Sequence, residues 1–176
     1  MRRLLLFSLL LFPTGLRAEP GRPAMTIERT SEGYWIKEGN QKVLFYQRRT
    51  RSLDGKYARA NYVHPLIDLD GNEITEDFPA DHPHHRGVFW AWHQCLVGSS
   101  KAGDGWACQD FNWQVDQVRQ QQKRNWAALH VEVTWSSPAI RDDNGQPVPL
   151  VAERTTIRVT RAEPQMRVID FDIQLN

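Results

Sequence analysis

The side chains most able to do chemistry crowd into Asp77–His93, which reads DFPADHPHHRGVFWAWH. This run holds His82, His84, His85 and His93, with Asp77, Asp81, Arg86, Trp90 and Trp92 among them, and His64 lies just upstream in YVHPL. Imidazole exchanges protons near neutral pH and also ligates metals. Three histidines within four residues are more than folding requires, so the run is a candidate site. Two chemistries fit it. In the first, His82 and His84 join one of His64 or Asp110 as ligands of a divalent metal with an open coordination position, the arrangement of a catalytic zinc. The spacing is not a zinc signature, so the cofactor stays undecided. In the second, no metal is needed. His82, His84 and His85 move protons at a sugar carbon or ring oxygen, with a carboxylate as partner. Arg59 or Arg86 then holds a developing oxyanion, and Trp90, Trp92, Trp106 or Trp113 stacks on a pyranose face. His64, Trp92 and Asp110 complete the substrate-binding candidates. Each has a plainer role open to it: the tryptophans as core, Arg86 as the partner of Asp77 or Asp81. No nucleophile elbow, glycine-rich phosphate loop or H-E-x-x-H motif occurs.

These residues need a frame. In an extended segment His82 and His84 point one way and His85 the other, unless Pro83 turns the backbone. Short strands are expected at Met25–Arg29, Tyr34–Lys37 and Lys42–Gln47, separated by Ser31-Glu32-Gly33 and Gly39-Asn40. Arg48–Lys56 reads as a loop, Tyr57–Pro65 as a strand and Asp68–Asn72 as a tight turn. A loop over Glu73–Pro83 delivers the histidines to an aromatic strand, Gly87–His93, and Trp106–Val115 returns. Asp116–Arg124 fits a short helix or a strand with a loop. Leu129–Trp135 alternates strictly, apolar on odd positions, which marks a half-buried antiparallel strand. Val151–Arg161 and Met166–Leu175 follow. Eight to ten strands without an amphipathic helix predict an all-β, antiparallel β-sandwich over residues 25–176. The last strand runs to Asn176 with no turn or polar tail, and the expectation is a missing pairing partner, the chain being the N-terminal part of a longer domain.

Residues 1–18 carry a basic head, the apolar run Leu4–Phe12 and a small residue at Ala18, the grammar of a secretory signal peptide. Residues 19–24 read as a linker. The expected location is periplasmic or secreted. Of the 22 basic residues, cleavage removes Arg2, Arg3 and Arg17, and the remainder against 21 acidic residues leaves a net charge of −2. That gives no field for nucleic acid and points to a small-molecule or oligosaccharide ligand; the oligomeric state stays open. No later segment is apolar enough to span a membrane. Cys95 and Cys108 are either a disulfide, as an oxidising compartment permits, or two unpaired thiols.

The run YVHPLIDLDGNEITEDFPADHPHHRGVFWAW, from Tyr62 to Trp92, resembles a bacterial family of often secreted proteins known as the PmoA family, or methane oxygenase PmoA. Asp110-Phe111-Asn112-Trp113 and ERTTIRV (Glu153–Val159) match more loosely, so the resemblance covers roughly residues 34–176. The methane monooxygenase subunit of that name is a bundle of membrane helices, and the absence of a spanning stretch beyond the signal peptide argues against methane oxidation. The resemblance implies a galactose-mutarotase-like supersandwich and a carbohydrate-active role, with histidines and a carboxylate acting on the ring. Two functions are carried forward. One is an epimerase, lyase or hydrolase working by histidine proton transfer, and the other a carbohydrate-binding sandwich without catalysis.

Overall fold

The computed structural model describes residues 21–176, so the signal peptide expected over 1–18 lies outside the described residues, as does the start of the 19–24 linker. The described chain is all-β. Its strands are β1 (Met25–Arg29), β2 (Gly33–Glu38), β3 (Gln41–Gln47), β4 (Arg51–Leu53), β5 (Lys56–Arg59) and β6 (Tyr62–Leu66). These are followed by β7 (Cys95–Val97), β8 (Ser100–Gly103), β9 (Asn112–Lys123), β10 (Trp126–Arg141), β11 (Pro147–Thr160) and β12 (Ile169–Leu175). Two antiparallel four-stranded sheets, β1-β2-β3-β6 and β12-β11-β10-β9, are accompanied by two short hairpins, β4-β5 and β7-β8.

Alternation sets which faces meet. On β10, Ala127, Leu129, Val131, Val133 and Trp135 point inward, and on β11 Ile157 and Val159 join them. They pack in one cluster with Tyr34, Ile36, Val43, Leu44 and Tyr46 of the other sheet. Two sheets burying their apolar faces against each other make a β-sandwich. Along one side β1 meets β9, where the Met25 amide donates to the Arg124 carbonyl (3.1 Å) and the Ile27 amide to the Gln122 side chain (2.9 Å).

Three expectations need correction, and one open alternative is resolved. Asp116–Lys123 is strand, the C-terminal two-thirds of β9, and Arg124 lies in the turn to β10. A register shift opposite Glu132–Val133 gives β9 one extra residue. Val115 and Val118, three apart, therefore both pack against the core, and a bulge of this kind hides the two-residue period. Tyr57–Pro65 is two strands, because Asn61 sits at φ 60° and breaks the ladder. Arg51–Leu53, read as loop, is β4. Gly87–His93 is not a strand: beyond the Val63–Val88 bridge it has no ladder partner. It ends instead the long connection from Ile67 to Gln94. A connection of that length without strands of its own is unusual in a compact fold and is commonly functional.

Candidate functional site

The histidines sit at the tip of a small antiparallel arm within that connection. Asp77 bridges Arg86, the Gly87 amide donates to the Glu76 carbonyl (2.9 Å), and the Phe78 amide donates to the His85 carbonyl (3.2 Å). At the tip the His82 amide donates to the Pro79 carbonyl (3.2 Å) and the His85 amide to the His82 carbonyl (2.8 Å). The second bond closes a turn with Pro83 and His84 at its centre, and proline favours the first central position of such a turn. The segment is therefore not extended, and the expected faces change. His82 and His85 come together as stacked rings, centroids 5.0 Å apart and planes 14° apart. His84 stands edge-on to both, at 5.9 Å from His82 and 4.6 Å from His85.

Beside this triplet opens a cleft of about 630 Å³, lined by Glu76, Asp81, His82, His85, Phe89 and Trp106 among others. Trp106 lies edge-to-face with His85 at 5.6 Å and tilted against Phe89 at 5.4 Å. His82 Nδ1 contacts the Asp81 carboxylate at 3.0 Å, and this hydrogen bond holds Asp81 below the usual carboxylate range. Burial, reinforced by the His85 and His82 rings, lowers the His84 pKa. Its imidazole is thus biased towards the neutral, proton-accepting form.

The arm is held by Arg86, which is fully buried. Its Nε donates to Asp77 Oδ1 (2.6 Å), Nη1 to the carbonyls of Tyr57 (2.6 Å) and Arg51 (3.3 Å), and Nη2 to the Tyr62 hydroxyl (2.7 Å). Asp77 also accepts from Arg51 (2.9 Å) and from the Tyr62 hydroxyl (3.1 Å). Burial pushes the Tyr62 pKa up to about 12, so the hydroxyl stays a donor.

The expectation that Arg59 or Arg86 binds an oxyanion is corrected by this geometry. Both are fully buried, with their donors turned to the protein. Arg59 donates to the carbonyls of Gly105 (3.1 Å) and Trp90 (2.8 Å) and lies over the Trp113 and Phe89 rings. Burial pulls its pKa down to about 10. His64 and Asp110 do not join the triplet. His64 Nδ1 meets the Thr75 hydroxyl (3.1 Å) and Nε2 meets Glu73 (3.4 Å), facing a separate cleft of about 340 Å³ with Arg51 and Trp35. Asp110 is exposed on a third cleft, of about 580 Å³, beside Lys56 and Tyr57. The ligand set of His82 and His84 with His64 or Asp110 is therefore not assembled. Among the described residues no group of three His, Cys, Asp or Glu side chains is placed to hold a metal ion. Trp92 is exposed but does not line the histidine cleft; its ring packs on Trp135 at 5.7 Å. Cys95 and Cys108 are free thiols, directed to the carbonyls of Trp92 (3.7 Å) and His84 (3.6 Å).

Three features escaped sequence reasoning. Glu76 and Phe89 line the cleft only because the arm folds back on itself. His93 pairs with Asp104, Nδ1 to Oδ2 at 2.6 Å, across a separation that carries no motif. Glu153, within ERTTIRV, is a buried carboxylate between the sheets.

Residues 35–176 match DUF6807, a family of unknown function, and the chain belongs to it. No curated protein and no solved structure matches the chain. No helix among the described residues is long and apolar enough to cross a membrane.

Proposed function

We propose that this DUF6807 member is a carbohydrate-active protein that moves protons on a sugar or oxidised sugar in the histidine cleft, as an epimerase, lyase or hydrolase. The observation that carries the reading is the grouping of His82, His84 and His85 at the edge of an open cleft whose wall includes an exposed tryptophan. His85 takes a proton from the carbon or hydroxyl presented to it. His82, turned by Asp81, returns one to the atom that gains electron density. His84 does not line the cleft; it tunes the other two through ring contact. Trp106 offers a flat face for a pyranose, and Glu76 and Asp81 accept from hydroxyls. Nothing in the cleft is strongly cationic, in keeping with a neutral ligand. The resemblance to the PmoA family, with the mutarotase-like fold and the secreted or periplasmic location it implies, is consistent with this reading.

The test is a screen of aldoses, uronic acids and keto-sugars in deuterated water. Proton NMR follows exchange at ring carbons, epimer formation and bond cleavage. Turnover by the native protein should fall about 100-fold or more in H85A, the usual worth of a positioned acid or base. Full turnover in the H82A/H84A/H85A triple variant would sink the reading. A second reading, sugar binding without chemistry, draws on the two exposed tryptophans, Trp92 and Trp106. It expects W106A to abolish binding while the histidine variants still bind.

A further inference from the structure

His93 and Asp104 form a pair built like an acid–base station, outside the histidine cleft. The Asp104 side chain is 9% exposed and the His93 ring 65% exposed, so a buried carboxylate orients an imidazole that faces solvent. Asp104 is itself fixed. Its Oδ1 accepts from the Ala107 amide (2.9 Å), and its backbone exchanges two hydrogen bonds with Gln109, each 2.9 Å. Burial acts to raise the Asp104 pKa, but the Ala107 amide and His93 outweigh it and hold the group below the usual carboxylate range. With Nδ1 committed to Asp104, Nε2 is the nitrogen left for a ligand. The turn that Asp104 closes carries Trp106, the wall of the histidine cleft, and the Trp106 amide donates to the Trp92 carbonyl (3.1 Å). Trp92, His93 and Trp106 are thus tied together by backbone, and the two tryptophans are 48% and 44% exposed.

We infer that Trp92 and His93 form a second sugar subsite adjoining the histidine cleft across the Trp106 turn, so that the ligand is an oligosaccharide spanning both. One unit lies at His82, His85 and Trp106. The next stacks on Trp92, with His93 Nε2 accepting from its hydroxyl. Asp104 is a positioning residue, setting His93 and the Trp106 turn together. This inference rests on the carbohydrate reading of the cleft and gives it a substrate class.

The test titrates the full chain with glucose, xylose, galactose and mannose and with their β-1,4-linked di-, tri- and tetrasaccharides, by calorimetry and tryptophan fluorescence. For the sugar that binds, affinity should rise on the order of tenfold from one unit to two or three. H93A and W92A should each cut that gain to about threefold or less. H93A keeps the test sound if W92A, which loses packing on Trp135, fails to fold. Equal affinity at every length, or a length gain that survives both substitutions, overturns the inference. Binding that is sensitive to W106A yet independent of length overturns it alone. No binding at any length, or binding indifferent to W106A, overturns the carbohydrate reading as well.

Discussion

Replacing Arg86 with alanine removes four hydrogen bonds and leaves Asp77, whose side chain is 4% exposed, without its buried partner. Breaking a buried ion pair from one side costs about 3–5 kcal/mol, and urea unfolding of R86A should show a midpoint lowered accordingly. R86K keeps the charge but not the planar fork, so it should recover only part of the loss. An unfolding free energy within about 1 kcal/mol of the native one would mean that Arg86 is not what holds the arm. The partnership with Asp77 was open to view in the sequence, nine residues apart in one motif-like run. The burial of Arg59 was not, because its carbonyl partners come from Trp90 and Gly105, placed by folding alone. His64 supplies a pH prediction. Burial, the leading cause, lowers its pKa from the ordinary 6.5, and His84 is shifted the same way. Between the unfolded and folded values the unfolded chain binds more protons. The stability these groups contribute is therefore complete above the unfolded value and is lost as pH falls through the folded one. The melting temperature should fall between about pH 7 and pH 5.5, before acidic residues titrate, and H64Q should flatten that fall. An identical slope in H64Q would remove His64 as a source.

At the scale of the elements, Gly87 decides how the arm leaves the sheet. It sits at φ 66°, in the left-handed region, and a Cβ there would overlap the Val63 carbonyl oxygen. That carbonyl receives the Val88 amide in the bridge that anchors the arm to β6. G87A should therefore cost about 2 kcal/mol in a thermal melt. It should also speed hydrogen exchange at the Val63 and Val88 amides and lower turnover by shifting His82 and His85. Unchanged exchange at both amides would show that the bridge tolerates the methyl group. This glycine also explains why Gly87–His93 could be mistaken for a strand. Its aromatic content has strand propensity, but a left-handed residue and the pull of the Arg86 anchor deny it a ladder. The reverse happened at β9. Its polar residues hide an apolar pair that only a bulge brings to one face, whereas β10, free of a bulge through its middle, was legible from alternation alone.

For the whole molecule, the question is what fixes one sheet over the other besides apolar contact. Glu153 of β11 is 2% exposed and accepts from Asn61 Nδ2 (2.9 Å), Trp135 Nε1 (2.8 Å) and the Thr155 hydroxyl (2.6 Å). Asn61 precedes β6, and its own side-chain oxygen accepts from the Tyr46 hydroxyl of β3 (2.9 Å). A single carboxylate therefore links both sheets through neutral donors. The pattern of β11 places Glu153 on the same face as Thr155, Ile157 and Val159, but periodicity alone gives no reason to bury a charge there. The partners that make burial tolerable lie on other strands. E153A would leave the Asn61 amide and the Trp135 N–H buried and unpaired, at a cost of about 3–5 kcal/mol in urea unfolding. E153Q keeps one acceptor oxygen but sets its own N–H donors against those of Asn61 or Trp135, and should cost about half as much. T155V, which removes only one donor, should cost about 1 kcal/mol and serves as the control. If E153A cost no more than T155V, apolar packing alone would account for how the two sheets are held together.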